Sequence, residues 1–167
     1  MNTFVDFTMI IGDLYGDLQK AKQALKMAKI FDENDHWIAN NSMAMKLGDI
    51  LNRGGEEHKL LYFLKKLRQD TEKSIGKLLI LQENHENRNI QGDFRYKNLC
   101  NGLEKQINIF NGVTKNYPSG YRARITALSP GGLISMCFLT DNRIVLIVGG
   151  YVFVHGGILP KNGVLGT

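Results

Sequence analysis

No stretch of this chain strings together the ~18 apolar residues that a membrane-crossing helix needs. No charged-then-apolar leader opens it either, and the first apolar run begins within a few residues of Met1, so a targeting extension is not expected. Cysteine is scarce. Cys100 and Cys137 are the only two and lack CxxC spacing, which excludes a disulfide framework and fits free thiols in a reducing compartment. The net charge of +5 comes from scattered lysines such as Lys20, Lys22, Lys26 and Lys29, at the spacing of solvated helix faces. Because the chain lacks the aromatic-and-basic surface that nucleic acid requires, such a partner is not expected. A modest positive balance does suit anionic partners such as phosphate esters.

What remains is ordinary globular material: 167 residues, 43% hydrophobic and 22% charged. That length makes one domain or part of one, able to bury about 70% of its unfolded surface.

Hydrophobic patterning sets the element order. Phe7 to Ile11 is a short β-branched run that predicts a buried strand. Asp17 is a plausible N-cap for a helix to about Ile30, with Leu18, Ala21, Leu25 and Ala28 on one face. A polar loop follows, with Trp37 as its anchor to the core. Met43 to Leu47 is a second strand, and Glu56 to Thr71 a second helix with Leu60, Leu64 and Leu67 as its buried stripe. Glu56 and Glu57 suit that helix's positive end. Leu78 to Leu81 is a third strand, opening into the polar loop QENHENRN. A short helix is expected near Leu99–Ile107, another over Tyr121–Leu128, and strands over Ile144–Val148 and Tyr151–Val154 around Gly149–Gly150.

The β-α-β-α-β order implies an α/β fold with a largely parallel sheet. In such sheets the loops beyond the strands' carboxyl ends gather at one edge and build the site. Asp13, Asp49, Asn84 with His85, and His155 each follow a predicted strand, so residues far apart in sequence converge. Aspartate, asparagine and histidine suit manganese, iron or zinc rather than a soft copper site. A carboxylate bridging two metals, a histidine that protonates a leaving oxygen and an arginine that grips phosphate together make phosphoryl chemistry. Singly, each has an ordinary alternative: Asp13 and Asp49 as turn caps, Arg53 as a surface arginine, His155 as a buried, satisfied imidazole.

The matching stretches are GDLYG (Gly12–Gly16), GDILNRG (Gly48–Gly54), ENHE (Glu83–Glu86) and HGG (His155–Gly157). In order and spacing they resemble the metal-dependent phosphoprotein phosphatases of the calcineurin-like metallophosphoesterase type, with their GDxHG, GDxxDRG, GNHE and HGG pattern. LNRGGEEHKLLYFLKKL, NIQGDFRY, YRARITAL and VFVHGGILP are similar to the Shewanella-like branch found in plants, and the likeness runs from Thr8 to Pro160. The resemblance implies a β-sandwich flanked by helices, incomplete here at its C-terminus, within a single partial domain. It implies two divalent metal ions, with Asp13, Asp49, Asn84 and His155 as ligands. His85 would be the general acid, Arg53 the phosphate-holding arginine, and residue 52 the group that orients His85. The implied substrate is a phosphomonoester, on a phosphoprotein or a smaller molecule.

Three positions depart from the pattern. Tyr15 replaces a metal-binding histidine, Asn52 replaces the orienting aspartate, and Glu83 replaces a glycine, which adds strain if that position needs positive φ. A further metal-binding histidine and a phosphate-binding arginine would lie beyond HGG in the family and have no counterpart here. The sequence therefore supports two readings: a phosphatase with impaired activity, or a catalytically inactive relative that retains binding. The half-sandwich is expected to expose apolar sheet edges and to associate through them. The compartment expected is the cytoplasm, or a plastid if a targeting extension is missing.

Overall fold

The computed structural model describes residues 8–96 and 122–159. Three strands, β1 (Thr8–Ile11), β2 (Met43–Leu47) and β3 (Lys77–Leu81), form a parallel sheet in the order β1-β2-β3. Ile11 lies opposite Lys46, and Lys46 opposite Ile80, so the strands' carboxyl ends are level and their loops share one edge. Arg143 adds a short parallel bridge beside Leu81.

Helix α1 (Leu18–Met27) starts where expected, with Asp17 accepting the Lys20 N–H at 3.0 Å. It ends three residues before Ile30, because Lys29 turns left-handed (φ 53°) and Ile30 donates back to the Leu25 carbonyl. Helix α2 (Glu57–Thr71) buries Leu60, Leu64 and Leu67, joined by Leu61 and Phe63. These side chains, with Ile11, Ala44, Leu78 and Ile80 from the sheet, form one core that also takes in Ala127 and Leu128. Each leucine so buried contributes about 1.5–3 kcal/mol relative to an exposed one. Trp37 is buried as expected and donates its indole N–H to the Ala39 carbonyl at 3.0 Å.

The segment after β3 differs from expectation. The residues read as a polar loop form helix α3 (Asn84–Ile90). The physical reason is an acid at its third position: Glu86 reaches back to the Glu83 backbone N–H at 3.1 Å, satisfying a donor that would otherwise be orphaned at the helix start. Helix α4 (Arg122–Leu128) and a π-helical turn (Ser135–Leu139) follow. Strands β4 (Leu146–Val148) and β5 (Tyr151–Phe153) then pair antiparallel. Gly149 and Gly150, at φ 57° and 83°, supply the two left-handed residues that a tight hairpin turn demands. The helix expected near Leu99–Ile107 lies outside the described residues, as does Phe7.

The architecture is thus α/β, with five described strands in two separate sheets. Large apolar side chains stay exposed on the hairpin: Ile147, Tyr151 and Val152. No helix among the described residues is long and apolar enough to cross a membrane.

Candidate metal centre

The loops after β1 and β2 are laced together by backbone hydrogen bonds. Leu14 and Tyr15 both donate to the Asp49 carbonyl, at 3.1 and 3.0 Å, and Gly16 donates to Ile50 at 2.7 Å. The lacing leaves no room at Gly54, where a Cβ would sit 2.2 Å from the Tyr15 carbonyl oxygen. Gly48 is equally constrained. Its φ is 63°, and a Cβ there would fall 2.3 Å from that of Glu83. Four non-glycine residues in these loops adopt positive φ: Tyr15 (48°), Asp49 (51°), Asn52 (72°) and Arg53 (60°). Backbone strain of this kind costs about 1–3 kcal/mol per residue and gathers where chemistry needs a fixed geometry. Glu83 is not one of them. Its φ of −136° is extended backbone, so the strain anticipated for a non-glycine residue there is absent.

One carboxylate holds the second loop. Glu86 is fully buried and accepts the backbone N–H groups of Asp49 (3.0 Å), Ile50 (2.8 Å) and Leu51 (3.0 Å), besides that of Glu83. Burial pushes its carboxyl above the usual range, and the N–H donors pull against that.

Among the described residues, Asp13, Asp49 and His155 offer ligand atoms that all lie within 4.8 Å of one another. His155 Nε2 is 3.5 Å from Asp49 Oδ2, and its Nδ1 is 3.7 Å from Asp13 Oδ1. Nδ1 also lies 2.8 Å from the Leu47 carbonyl oxygen. A carbonyl only accepts, so Nδ1 carries the proton and a neutral His155 turns the Nε2 lone pair toward Asp49, the arrangement of a metal-ligating histidine. Burial pulls the His155 pKa down, but the Leu47 bond and the charges of Asp49, Asp13 and Glu83 together outweigh it and raise the value. Asp49 is 2% exposed, and its Oδ1 is buried without a hydrogen-bond partner among the described residues. A buried carboxylate oxygen left bare is costly unless a cation meets it. The donor set and that bare oxygen therefore fit a divalent ion.

The other residues singled out in the sequence surround this group. His85 is buried, with Nδ1 2.7 Å from the Asn52 amide nitrogen and Nε2 3.9 Å from Asp49 Oδ2. Burial lowers its pKa, with the charges of Arg53 and Arg88 adding to the effect and Asp49 opposing it. Tyr15 packs edge-on against the His85 ring, and Tyr96 lies across it. The Tyr15 hydroxyl donates to Asp13 Oδ2 at 2.8 Å; that bond, then burial, pushes the phenol up to about 12. Tyr15 thus stays a neutral donor to Asp13. The Arg53 guanidinium lies over the Tyr15 ring at 4.1 Å. Asn84 stands exposed at the first position of α3.

Sequence reasoning missed the supports. Glu57, read as a helix-dipole acid, is instead buried in a bidentate pair with Arg124, both contacts at 2.8 Å. Arg124 and Asn89 are also buried and both reach Asn52. Lys46 is a further surprise. It is fully buried on β2, and its ammonium donates to the Gly48 carbonyl. Burial lowers its pKa to about 8, against the pull of Glu86, Asp13 and Asp49.

The folded value of about 8 lies below the 10.5 of a free lysine, so the unfolded chain binds more protons between those values. The Lys46 contribution to stability therefore rises from pH 8 to 10.5 and is smallest below 8. Lys46→Met is expected to remove that rise, as urea midpoints measured across the window would show. An unchanged slope would mean that Lys46 is not desolvated.

No protein-family model matches the chain. Curated proteins do. Shewanella-like protein phosphatase 2 of Arabidopsis thaliana is 42% identical over 91% of this chain and 46% of its own length. Shewanella-like protein phosphatase 1 of Plasmodium berghei is 30% identical over 89% of this chain and 38% of its own. Both of these relatives are Shewanella-like protein phosphatases. The chain spans less than half the length of either of these two. The fold agrees: the cold-active protein tyrosine phosphatase of a psychrophilic Shewanella species superposes with a TM-score of 0.69, at 19% identity, over 95% of this chain and 46% of that one. The expected likeness to the Shewanella-like phosphatases, drawn from ENHE, HGG and the stretches between, thus stands.

Proposed function

We propose that this chain is a single, partial metallophosphoesterase domain that acts on phosphomonoesters as a metal-dependent, Shewanella-like phosphatase. The observation that carries the reading is the bare, buried Oδ1 of Asp49 beside a histidine whose Nδ1 is tied to the Leu47 carbonyl. Asp13, Asp49 and His155 would hold a divalent ion, with Asn84 as the ligand for a second. Manganese, iron and zinc all suit these donors. A bound ion of this class supplies Lewis acidity and a hydroxide nucleophile at neutral pH.

The chain's own residues do the rest. Arg53, at the mouth of the site, grips phosphate oxygens in place of the Tyr15 ring. His85, shielded by Tyr15 and Tyr96, faces the reacting group from the N-terminus of α3. Glu86 holds the Asp49 loop still. The hairpin β4–β5 would be the start of a second sandwich layer, whose apolar face offers a surface for association. The substrate is a phosphorylated protein or small ester, and the compartment is the cytoplasm, or a plastid for a longer form.

A second reading has its own observations in favour. Tyr15 donates to Asp13 where a ligand is expected, and an amide stands where a carboxylate would orient His85. Both suit a phosphatase-like protein that binds without turnover. Manganese-dependent hydrolysis of a chromogenic phenyl phosphate separates the two, with Asp49→Asn and His85→Ala as controls. Hydrolysis that needs metal and falls by about 100-fold or more in either variant is expected for the enzyme. Folded protein with no activity above the controls would overturn it in favour of the binding reading.

A further inference from the structure

We infer that Arg124 is a positioning residue: acting through the Asn52 amide, it fixes neutral His85 with its proton on Nε2. The Asn52 Oδ1 lies 2.9 Å from an Arg124 amino nitrogen and 3.1 Å from the Asn89 amide nitrogen. A guanidinium has only donors, so the atom facing it must be the Asn52 carbonyl. Arg124 cannot turn away, because Glu57 takes two of its N–H groups and the Asn89 side-chain Oδ1 a third, at 2.6 Å. Asn89 is held in turn, its amide nitrogen also donating to the His85 carbonyl at 2.6 Å. The Asn52 NH₂ is therefore left to face His85 Nδ1, at 2.7 Å. Flipping the amide would set donor against donor at Arg124, so the orientation is fixed by charge and not by packing alone.

The consequence lies on the other ring nitrogen. Nδ1 accepts, so Nε2 bears the hydrogen, 3.9 Å from Asp49 Oδ2 on the side of the metal-ligating group. A carboxylate at residue 52 would accept from Nδ1–H and leave Nε2 with a lone pair. The amide reverses that polarity. His85 then presents a neutral N–H that donates to an oxygen and takes no proton from one. Its use on a phosphate oxygen rests on the phosphoryl reading above, whereas the tautomer follows from the hydrogen bonding alone.

Nitrogen-15 NMR of histidine-labelled full chain tests both parts, at a pH where His85 is neutral. In the native protein the lone-pair nitrogen of His85 is expected to be Nδ1. In Asn52→Asp the proton is expected to move to Nδ1, and the lone-pair resonance to Nε2. Asn89→Ala removes the other donor to Oδ1 but leaves Arg124, and is expected to keep the native pattern. Arg124→Gln, whose amide both accepts and donates, is expected to mix the two patterns. Should it fail to fold, the Asn52→Asp and Asn89→Ala spectra still decide. A native lone pair on Nε2, or an Asn52→Asp spectrum like the native one, overturns the inference. So does a switched tautomer in Asn89→Ala. Inorganic phosphate, added as a probe, should shift Nε2. A native pattern with no such shift would sustain the tautomer and count against the phosphoryl reading.

Discussion

Glu86→Ala is expected to cost about 4 kcal/mol or more, on the basis of ~1–3 kcal/mol for each buried donor left without a partner. Four backbone N–H groups lose their acceptor together: those of Asp49, Ile50, Leu51 and Glu83. Water entering the vacated space recovers part of the loss, which is why the expected figure starts at the lower end of the simple sum. A domain of this kind has about 5–15 kcal/mol in all, so the variant should sit close to unfolding at room temperature. Urea denaturation reads the effect directly. Glu86→Gln keeps one acceptor oxygen but turns an NH₂ toward other N–H groups, and should fall between native and alanine. A loss under about 1 kcal/mol in Glu86→Ala would mean that the Asp49 loop holds itself without this carboxylate.

The second large effect is expected at Arg124. Arg124→Leu takes the guanidinium from Glu57 while that carboxylate stays buried, and breaking such a pair typically costs about 3–5 kcal/mol. The two side chains are fully buried and meet through paired contacts of 2.8 Å. The double variant Arg124→Leu/Glu57→Leu should recover much of the loss, because no isolated charge then remains. A double-mutant cycle from denaturant midpoints gives the coupling. Additive losses, with no recovery in the double variant, would show that the pair contributes nothing beyond its separate contacts.

These two residues also mark where the sequence stopped being legible. The β-α-β-α-β order was readable because apolar runs and helix stripes repeat at periods that only one class of element satisfies. Asp13, Asp49, Asn84 with His85, and His155 were readable as a group because each follows a predicted strand; parallel strands deliver the first three loops to one edge, whereas His155 follows an antiparallel hairpin strand in a separate sheet. Among the described residues, the ligand atoms of Asp13, Asp49 and His155 do converge. Glu86 carried a weak signal: it stands three residues after Glu83, the spacing of an acid that closes a helix start. The polarity of QENHENRN outweighs that spacing and predicts a loop. Arg124 carried no local signal at all. Its partners Glu57 and Asn52 lie 67 and 72 residues away, and an arginine on a short helix reads as solvated until tertiary packing buries it. Lys46 is illegible for the same reason: nothing in its neighbours Met43, Ala44, Met45 and Leu47 marks a lysine that is fully buried. The extended backbone at Glu83 was equally out of reach, since residue type alone does not fix φ.

The left-handed residues of the two site loops set stability against chemistry. Glycine at position 53 would relieve a conformation that costs an arginine about 1 kcal/mol or more. It would also delete the guanidinium over Tyr15. Asp49, at φ 51°, presents the same conflict with its bare carboxylate oxygen. Selection of random variants for heat resistance alone should therefore drift toward glycine at both positions, and the survivors would be sturdier proteins with an emptied site.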